Sequence, residues 1–169
     1  MPLKRHTLQN NCWNDFENIA AGYPPVSDSI AWKPMSAADS FFDTNVLLYL
    51  LSKDAAKADL AEALLATGGV VSVQVLNEFA SVATRKMAMT IPEIREILST
   101  IRAICVVRSL DIETHDLGLE MAERYGFSIY DGLIVAAAVR ARCAILYTED
   151  LQQGQVIDQL TIQNPFAGS

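Results

Sequence analysis

Short apolar runs that alternate with helical patterns constrain the fold of this chain more than any other feature. The runs lie at residues 40–43, 70–72, 105–108, 144–147 and about 160–163. Runs of this length, separated by helical segments, are typical of a parallel sheet whose strands are joined by helical crossovers. The sequence therefore predicts an α/β fold with a central, mostly parallel sheet of four to five strands, covered by helices.

Helix boundary signals divide the segments between these runs. Gly68 and Gly69 form a C-terminal cap signal, Thr90 to Glu93 fit a capping box with proline in the first turn, and Gly126 ends an amphipathic pattern. A nearly all-apolar segment follows Asp131, as expected for a helix at the centre of the fold. The predicted helices cover 44–52, 54–66, 73 to about 87, 90 to about 103, 111–125 and 131–142.

Acidic residues stand at the strand ends or early in the helices of four segments. Asp43 ends the first run, Glu78 lies in the helix after the second, Asp131 opens the apolar helix, and Asp150 follows the fourth run. Because the carboxyl ends of parallel strands meet in one crevice, these acids would converge although they are far apart in sequence. Asp is also a common helix cap, so a purely structural role for Asp43 stays open at this point.

Five motifs in a fixed order resemble those of the PIN-domain ribonucleases. They are Asp-Thr-Asn after a strand, Asn-Glu-Phe on a helix, Tyr-Asp-Gly opening an apolar helix, Tyr-Thr-Glu-Asp after a strand, and a final Leu-Thr-Ile-Gln-Asn-Pro-Phe, at residues 43–45, 77–79, 130–132, 147–150 and 160–166. The VapC-type toxins of prokaryotic toxin–antitoxin pairs are the most similar members. The resemblance covers residues 40–167 and implies a three-layer α/β/α PIN-like fold.

The resemblance assigns catalytic and metal-binding roles residue by residue. The family's acidic quartet and two polar neighbours fall on Asp43, Glu78, Asp131, Asp150, Asn45 and Thr148. Asp43 and Asp131 would be the principal metal ligands, Glu78 a ligand or the residue that orients the water, and Asp150 an outer or second-metal ligand. The two polar neighbours would hold waters or orient carboxylates. Carboxylate oxygens suit hard cations, so the implied cofactor is Mg²⁺, with Mn²⁺ as a substitute.

Three residues in or near these motifs need separate interpretation. Gly132 stands where many relatives have alanine, which predicts a slightly looser helix start. Glu149 adjoins Asp150 and could exchange roles with it, although the Thr-x-Asp spacing of the resembled family favours Asp150. His115 lies on an amphipathic pattern and is expected to be an exposed helical residue rather than a general base.

The implied function is that of a Mg²⁺- or Mn²⁺-dependent endoribonuclease, acting as the toxin of a toxin–antitoxin pair. Its implied partners are an RNA substrate, a cognate antitoxin that covers the acidic pocket, and a second copy of the chain in a homodimer. The alternatives are a PIN-type nuclease of RNA processing and a non-catalytic interaction module of the same fold. A haloacid-dehalogenase-like phosphatase is disfavoured, because Asn45 stands where that chemistry needs a second aspartate.

Composition agrees with this class without proving it. The chain has 169 residues, half of them apolar, which suffices for one sizeable core. Its net charge of −7 argues against nucleic acid, yet clustered carboxylates supply much of this excess and bound cations would reverse the local potential. Three widely spaced cysteines form neither a disulfide framework nor a metal knuckle, which favours a reducing cytoplasm. No apolar run approaches the length of a membrane span, and the polar N-terminus, residues 1–6, lacks the apolar stretch of a signal peptide.

Residues 1–39 differ from the remainder of the chain. They contain Trp13, Trp32 and the pair Pro24-Pro25, with no sustained helical or strand periodicity. The sequence therefore predicts an N-terminal extension of uncertain structure, followed by a PIN-like nuclease domain at residues 40–167. A further hypothesis is that the functional chain begins near Met35, shortly before the first predicted strand.

Overall fold

Six strands form one sheet within residues 39–167, the part of the chain that the computed structural model describes. In chain order they are β1 (Ser40–Phe42), β2 (Gly69–Ser72), β3 (Cys105–Arg108), β4 (Ile145–Tyr147), β5 (Val156–Ile157) and β6 (Leu160–Gln163). Their spatial order is β3-β2-β1-β4-β6-β5, and the pairs are parallel except for β5 with β6. The predicted α/β class with a mostly parallel sheet is confirmed.

The strand that the sequence patterns miss is β5, so the prediction of four to five strands was one too few. This strand has only two residues, and Val156 is 62% exposed, so no apolar run marks it. It pairs antiparallel with β6, and Asp158 in the intervening turn has a positive φ of 54°. A short hairpin therefore adds an edge strand that hydrophobic patterning could not reveal.

Six helices connect these strands in the described residues, and most predicted boundaries hold within a few residues. They are α1 (Thr44–Tyr49), α2 (Ala55–Ala66), α3 (Val73–Met87), α4 (Ile91–Ile104), α5 (Ile112–Tyr125) and α6 (Ile129–Arg140). The predicted cap signals are confirmed: Glu93 accepts a hydrogen bond of 2.7 Å from the Thr90 backbone, and Gly126 is left-handed at the end of α5. The first predicted helix, 44–52, is shorter because the chain continues as turns after Tyr49.

The apolar helix α6 begins two residues earlier than predicted. Ser128 is its N-cap, and its side chain accepts a hydrogen bond from the Asp131 backbone. Asp131 is therefore the third helical residue rather than the first. Residues 132–138 of this helix are all buried, which confirms that it lies in the core.

The centre of the sheet is β1, which lies between β2 and β4. Its residues Phe41 and Phe42 are fully buried, as is Leu146 of the neighbouring β4. Burial on this scale stabilises the fold by roughly 2–3 kcal/mol for each large apolar side chain. The chain leaving β1 therefore starts from a rigid position in the middle of the sheet, and it enters α1 through Asp43.

Two glycines allow α5 and α6 to approach each other closely. A Cβ added to Gly132 would overlap the carbonyl oxygen of Gly118 and lie 3.3 Å from the Ala122 Cβ. A Cβ added to Gly118 would lie 2.6 Å from a methyl group of Leu133. Gly132 is therefore a packing residue, and the sequence-based expectation that it only loosens the start of the helix misses this role.

The predicted N-terminal extension and the hypothesis of a start near Met35 concern residues that lie outside the described range. Within residues 39–167, no helix is long and apolar enough to span a bilayer. Cys105 and Cys143 are both buried, and burial raises the pKa of the Cys143 thiol to about 11. These two cysteines are therefore unreactive core residues.

Candidate active site

Asp43 lies between β1 and α1 with its side chain 4% exposed. Its backbone N–H donates to the Tyr147 carbonyl of β4, and its carboxylate accepts a 2.5 Å hydrogen bond from the Thr44 backbone. The same carboxylate accepts a 2.5 Å hydrogen bond from the Thr148 hydroxyl. Asp43 thus acts as a helix cap, as the structural interpretation requires, and it also joins polar side chains from the next strand.

Thr148 and Asn45 connect Asp43 to Asp150. The Asn45 side-chain nitrogen lies 3.2 Å from Asp43 Oδ2, 3.1 Å from Thr148 Oγ1 and 3.1 Å from Asp150 Oδ2. The Asp150 backbone N–H donates to Thr148 Oγ1 at 3.1 Å, so this hydroxyl both donates and accepts. The loop after β4 and the first turn of α1 are therefore held together by one set of hydrogen bonds.

Glu78 reaches the same region from α3. Its Oε2 accepts a hydrogen bond of 3.2 Å from the Thr44 hydroxyl, and its Oε1 accepts one of 2.7 Å from Gln74 one turn earlier. We call Asp43, Glu78 and Asp150, with the bridging residues Thr44, Asn45 and Thr148, the acidic network. Its members come from the ends of β1 and β4 and from α3, which the strand order β2-β1-β4 brings side by side.

The electrostatics of this network centre on Asp43. Burial raises the pKa of Asp43 from 3.8 to about 7. The hydrogen bonds from Thr148 and from the Thr44 backbone lower this pKa, whereas the charges of Asp150 and Glu78 raise it. Desolvation outweighs the hydrogen bonds, because a buried carboxylate loses hydration that two donors do not replace.

Asp131, the fourth predicted acid, has a different set of partners. Its carboxylate accepts a 2.7 Å hydrogen bond from the Ser128 hydroxyl, while its backbone N–H donates to the same oxygen at 3.2 Å. Within residues 39–167, no three Asp, Glu, His or Cys side chains lie close enough together to enclose a metal ion. The structure thus groups three of the four predicted acids and leaves Asp131 in a local helix-capping contact.

The neighbouring acids Glu149 and Asp150 contact different residues. Tyr49 Oη lies 2.7 Å from both carboxylate oxygens of Glu149, and Lys57 Nζ donates to Tyr49 Oη at 2.9 Å. The Lys57 ammonium also lies 3.9 Å from Glu149 Oε2 and 4.5 Å from the centre of the Tyr49 ring. Asp150, not Glu149, therefore contacts Asn45, and the choice of Asp150 as the site residue stays a prediction.

Sequence reasoning missed four residues that support the site: Thr44, Gln74, Tyr49 and Lys57. The position of Thr44 between two predicted site residues was a usable signal. Gln74 lies one turn before Glu78 on the same helix, a spacing at which side chains meet. The contacts of Tyr49 and Lys57 depend on how α1 and α2 pack beside the loop after β4, and no local pattern indicates that.

The oxygen chemistry of the network suits a hard cation. Asn45 Oδ1 is a buried oxygen with no hydrogen-bond partner in the described part of the chain. An unpaired buried acceptor is costly, and a cation or water would satisfy it. Carboxylate and amide oxygens are the ligands that Mg²⁺ and Mn²⁺ prefer. The residues present therefore fit a divalent metal by donor type.

Comparisons with known proteins agree with one another. The family model described as PIN domain matches residues 40–157. A toxin–antitoxin complex from Klebsiella pneumoniae is 21% identical, with 75% of this chain and 98% of that chain covered and a TM-score of 0.57. VapC20 of Mycobacterium tuberculosis, described as a Sarcin-Ricin loop cleaving toxin, is 18% identical. The match covers 66% of this chain and 89% of that chain, with a TM-score of 0.53.

A third similar structure is VapBC2 from Rickettsia felis, bound to a DNA fragment from its promoter. It is 19% identical, with 74% of this chain and 97% of that chain covered and a TM-score of 0.54. The comparison with curated proteins gave no match. At these identities the solved structures establish the fold that this chain shares with them.

Proposed function

The chain belongs to the PIN domain family, and we propose that it is a divalent-metal-dependent endoribonuclease that acts as the toxin of a toxin–antitoxin pair. The observation that carries the proposal is the buried Asp43 carboxylate, whose pKa burial raises to about 7 beside Asp150 and Glu78. Such an arrangement costs stability, because the buried Asp43 carboxylate loses its hydration and the nearby charges of Asp150 and Glu78 further oppose its ionisation. Strongly perturbed acids of this kind are characteristic of functional sites.

The proposed metal ligands are Asp43, Glu78, Asp131 and Asp150. A bound Mg²⁺ or Mn²⁺ supplies a water of lowered pKa and stabilises negative charge on the scissile phosphate. Asp43 must be ionised to take part, so its proton has to leave before it becomes a ligand. Asp131 is included because its motif resembles the family's, and its contact with Ser128 leaves the assignment to experiment.

The bridging residues have the task of fixing the carboxylates. The Thr148 hydroxyl directs one hydrogen bond at Asp43, and the Asn45 amide contacts both Asp43 and Asp150. Outer hydrogen bonds of this kind set the orientation of metal ligands and are commonly worth about 10–100-fold in activity. Asn45 Oδ1 remains as a further acceptor that a metal-bound water could use.

Covalent catalysis by a side chain finds little support in the described residues. Cys105 and Cys143 are buried, and His115 is exposed on α5. A side-chain nucleophile needs an adjacent base that activates it, and the acidic network provides no such pair. Hydrolysis by an activated water is the chemistry that these oxygen donors serve best.

We further propose an antitoxin as partner, a homodimer as the assembly and the cytoplasm as the location. The similarity to a toxin–antitoxin complex and to VapBC2 supports the antitoxin proposal. A competing interpretation, that of a non-catalytic interaction module, draws on the capping contacts of Asp43 and Asp131. The two interpretations differ in whether the protein binds metal and cleaves RNA.

Two measurements test the proposed function. Calorimetry with Mn²⁺ should detect binding to the wild type and not to Asp43→Asn. Cleavage of an end-labelled RNA should occur with Mg²⁺ or Mn²⁺ and stop in EDTA, with His115→Ala as a matched surface control that cleaves normally. Full cleavage in the chelator, or equal Mn²⁺ binding by Asp43→Asn, would overturn the proposal.

A further inference from the structure

A polar cavity of about 380 Å³ lies where the end of β3, the start of α5 and the end of α6 meet. The side chains with polar ends that line it belong to Arg108, Ser109, Asp111, Thr114, Arg140 and Arg142. None of these residues belongs to the acidic network. We call this feature the arginine cavity, because three of the chain's 13 basic residues line it.

One of the three arginines is neutralised within the cavity. Arg140 Nη1 contacts both Asp111 Oδ1 and Thr114 Oγ1. Asp111 also accepts hydrogen bonds from Thr114, of 2.9 Å from the backbone N–H and 2.7 Å from the hydroxyl. Hydrogen bonds from Thr114 and from Arg140 lower the pKa of Asp111 to about 2, so it is ionised at neutral pH. This pair forms a fixed wall of the cavity.

The other two arginines leave the cavity with positive charge. Arg108 and Arg142 are exposed, and among the described residues they have no side-chain hydrogen bond or ion pair. Arg142 also adopts a left-handed backbone conformation, with φ of 58°, at a position where glycine would carry no strain. Because the charges of Asp111 and Arg140 cancel, the lining residues that the structure describes carry a charge of about +2 at neutral pH.

Two unpaired guanidinium groups suit the recognition of phosphate. A guanidinium presents parallel N–H groups that match two phosphate oxygens, and Ser109 also lines the cavity. At about 380 Å³ the cavity is larger than a small monatomic anion needs. The chain as a whole carries −7, so a polyanion needs such a local positive site in order to bind.

We propose that the arginine cavity is a phosphate-binding subsite that holds a backbone phosphodiester of the RNA substrate at a position separate from the acidic network. The identity of the ligand as RNA depends on the proposed function, whereas its phosphate chemistry depends on the cavity alone. Arg108 and Arg142 bind the phosphate. Arg140 keeps the cavity open through its contacts with Asp111 and Thr114.

The test compares two double variants that each remove two positive charges. Arg108→Gln with Arg142→Gln removes the unpaired charges of the cavity, and Arg95→Gln with Arg102→Gln removes two exposed charges of α4 as the control. Binding of a fluorescein-labelled single-stranded RNA is measured in EDTA over a series of salt concentrations. The cavity variant should bind more weakly, with a salt slope smaller in magnitude by about 0.7, the value expected for the loss of one phosphate contact, while the control stays near wild type.

Further arms identify the ligand and check the fold. Inorganic phosphate should compete with RNA for the wild type and not for the cavity variant, and thermal unfolding should show that both variants fold. With Mg²⁺, the cavity variant should raise KM for RNA and leave kcat unchanged. Replacement of both cavity arginines by lysine should restore the salt slope but only part of the RNA affinity. Lysine returns the positive charge, but it lacks the planar guanidinium that donates two parallel hydrogen bonds to phosphate.

Three results would overturn the subsite. In the first, the cavity and control variants lose RNA affinity equally. In the second, the cavity variant binds RNA as tightly as the wild type. In the third, the cavity variant no longer binds inorganic phosphate but keeps its full affinity for RNA. Binding in EDTA does not require catalysis. If the wild type binds RNA through these arginines but never cleaves it, the proposed nuclease function fails and the subsite stands.

Discussion

The Thr148 hydroxyl donates a hydrogen bond of 2.5 Å to Asp43, across 105 positions of sequence. The contact exists because β1 and β4 are adjacent and parallel, with Phe42 opposite Tyr147, so the residue after each strand reaches the same edge of the sheet. It is also the strongest influence that favours the ionised form of Asp43 and so lowers its pKa. Burial of the carboxylate has the opposite and larger effect, so the pKa of Asp43 is raised to about 7.

The first prediction concerns the stability of the metal-free protein as the pH rises. Since the pKa of Asp43 is about 7 in the folded state and near 3.8 when unfolded, the folded state holds the proton more tightly. Stability from this group is therefore complete below pH 4 and is lost as the pH rises toward and through 7. Between pH 5 and pH 8 the loss should be about 2–3 kcal/mol.

Urea unfolding in EDTA at these two pH values measures the effect. Asp43→Asn has no proton to lose, so the wild type should lose more stability than this variant over the interval. The difference between the two proteins isolates Asp43 from other titrating groups. An identical pH dependence in both proteins would show that Asp43 does not titrate in this range.

The second prediction is that Mn²⁺ affinity depends on pH through the protonation of Asp43. Because Mn²⁺ and the proton compete for the Asp43 carboxylate, the Mn²⁺ dissociation constant should fall by about tenfold per pH unit below pH 7 and level off above it. Calorimetry over a pH series in buffers of different ionisation enthalpy would count the released protons. Affinity that is constant from pH 5 to pH 8 would contradict the role of Asp43 as a ligand that must first ionise.

The sequence predicted the fold well wherever a local pattern carried the information. The runs at 105–108 and 160–163 became β3 and β6, and the glycine at 126 ended α5. Strand order was not available from such patterns, because it depends on which helices pack on which face. The hairpin strand β5 was missed for a related reason. It has only two residues, one exposed and one buried, which is too short for a recognisable pattern of apolar residues.

In the candidate site, too, some contacts follow from local sequence patterns and others depend on how the helices and strands pack. Asp43, Asn45, Thr148 and Asp150 all lie within three residues of the end of a predicted strand, and the structure places their side chains within hydrogen-bond distance. Glu78 joins them only through Thr44, a contact that requires α1 and α3 to be neighbours. Asp131 remains a predicted ligand, because its position was inferred from a motif and its side chain contacts Ser128.

The third prediction separates orientation from metal ligation at Thr148. Thr148→Val keeps the shape of the side chain but removes the donor to Asp43, so the pKa of Asp43 should rise further. Activity at neutral pH should fall by about 10–100-fold, and the pH profile of kcat/KM should move to higher pH. Thr148→Ser retains the hydroxyl and should recover most of the activity and the original profile.

A purely structural role for Thr148 would give a different result. In that case Thr148→Val would lower the unfolding temperature and the amount of active enzyme, while the pH dependence of the remaining activity would match the wild type. A shift of the profile together with rescue by serine would identify Thr148 as a positioning residue for Asp43.

The fourth prediction concerns the close contact between α5 and α6. Alanine in place of a helical glycine ordinarily stabilises a helix by about 1 kcal/mol. At Gly132, however, the new methyl group would overlap the Gly118 carbonyl oxygen, which belongs to a backbone that cannot rotate away. Overpacking costs about 1–3 kcal/mol, and a clash with a backbone atom falls at the upper end of that range, so after the helix-propensity gain Gly132→Ala should lower the free energy of unfolding by up to about 2 kcal/mol.

Denaturant unfolding of Gly132→Ala in EDTA tests the sign of this effect apart from any metal binding. Glu123→Ala, on the exposed side of α5, is the matched control and should change stability by less than about 0.5 kcal/mol. This chain can carry alanine at position 132 only if α5 moves away from α6. A stability gain in Gly132→Ala would mean that the two helices separate without cost and that glycine is not required for their packing.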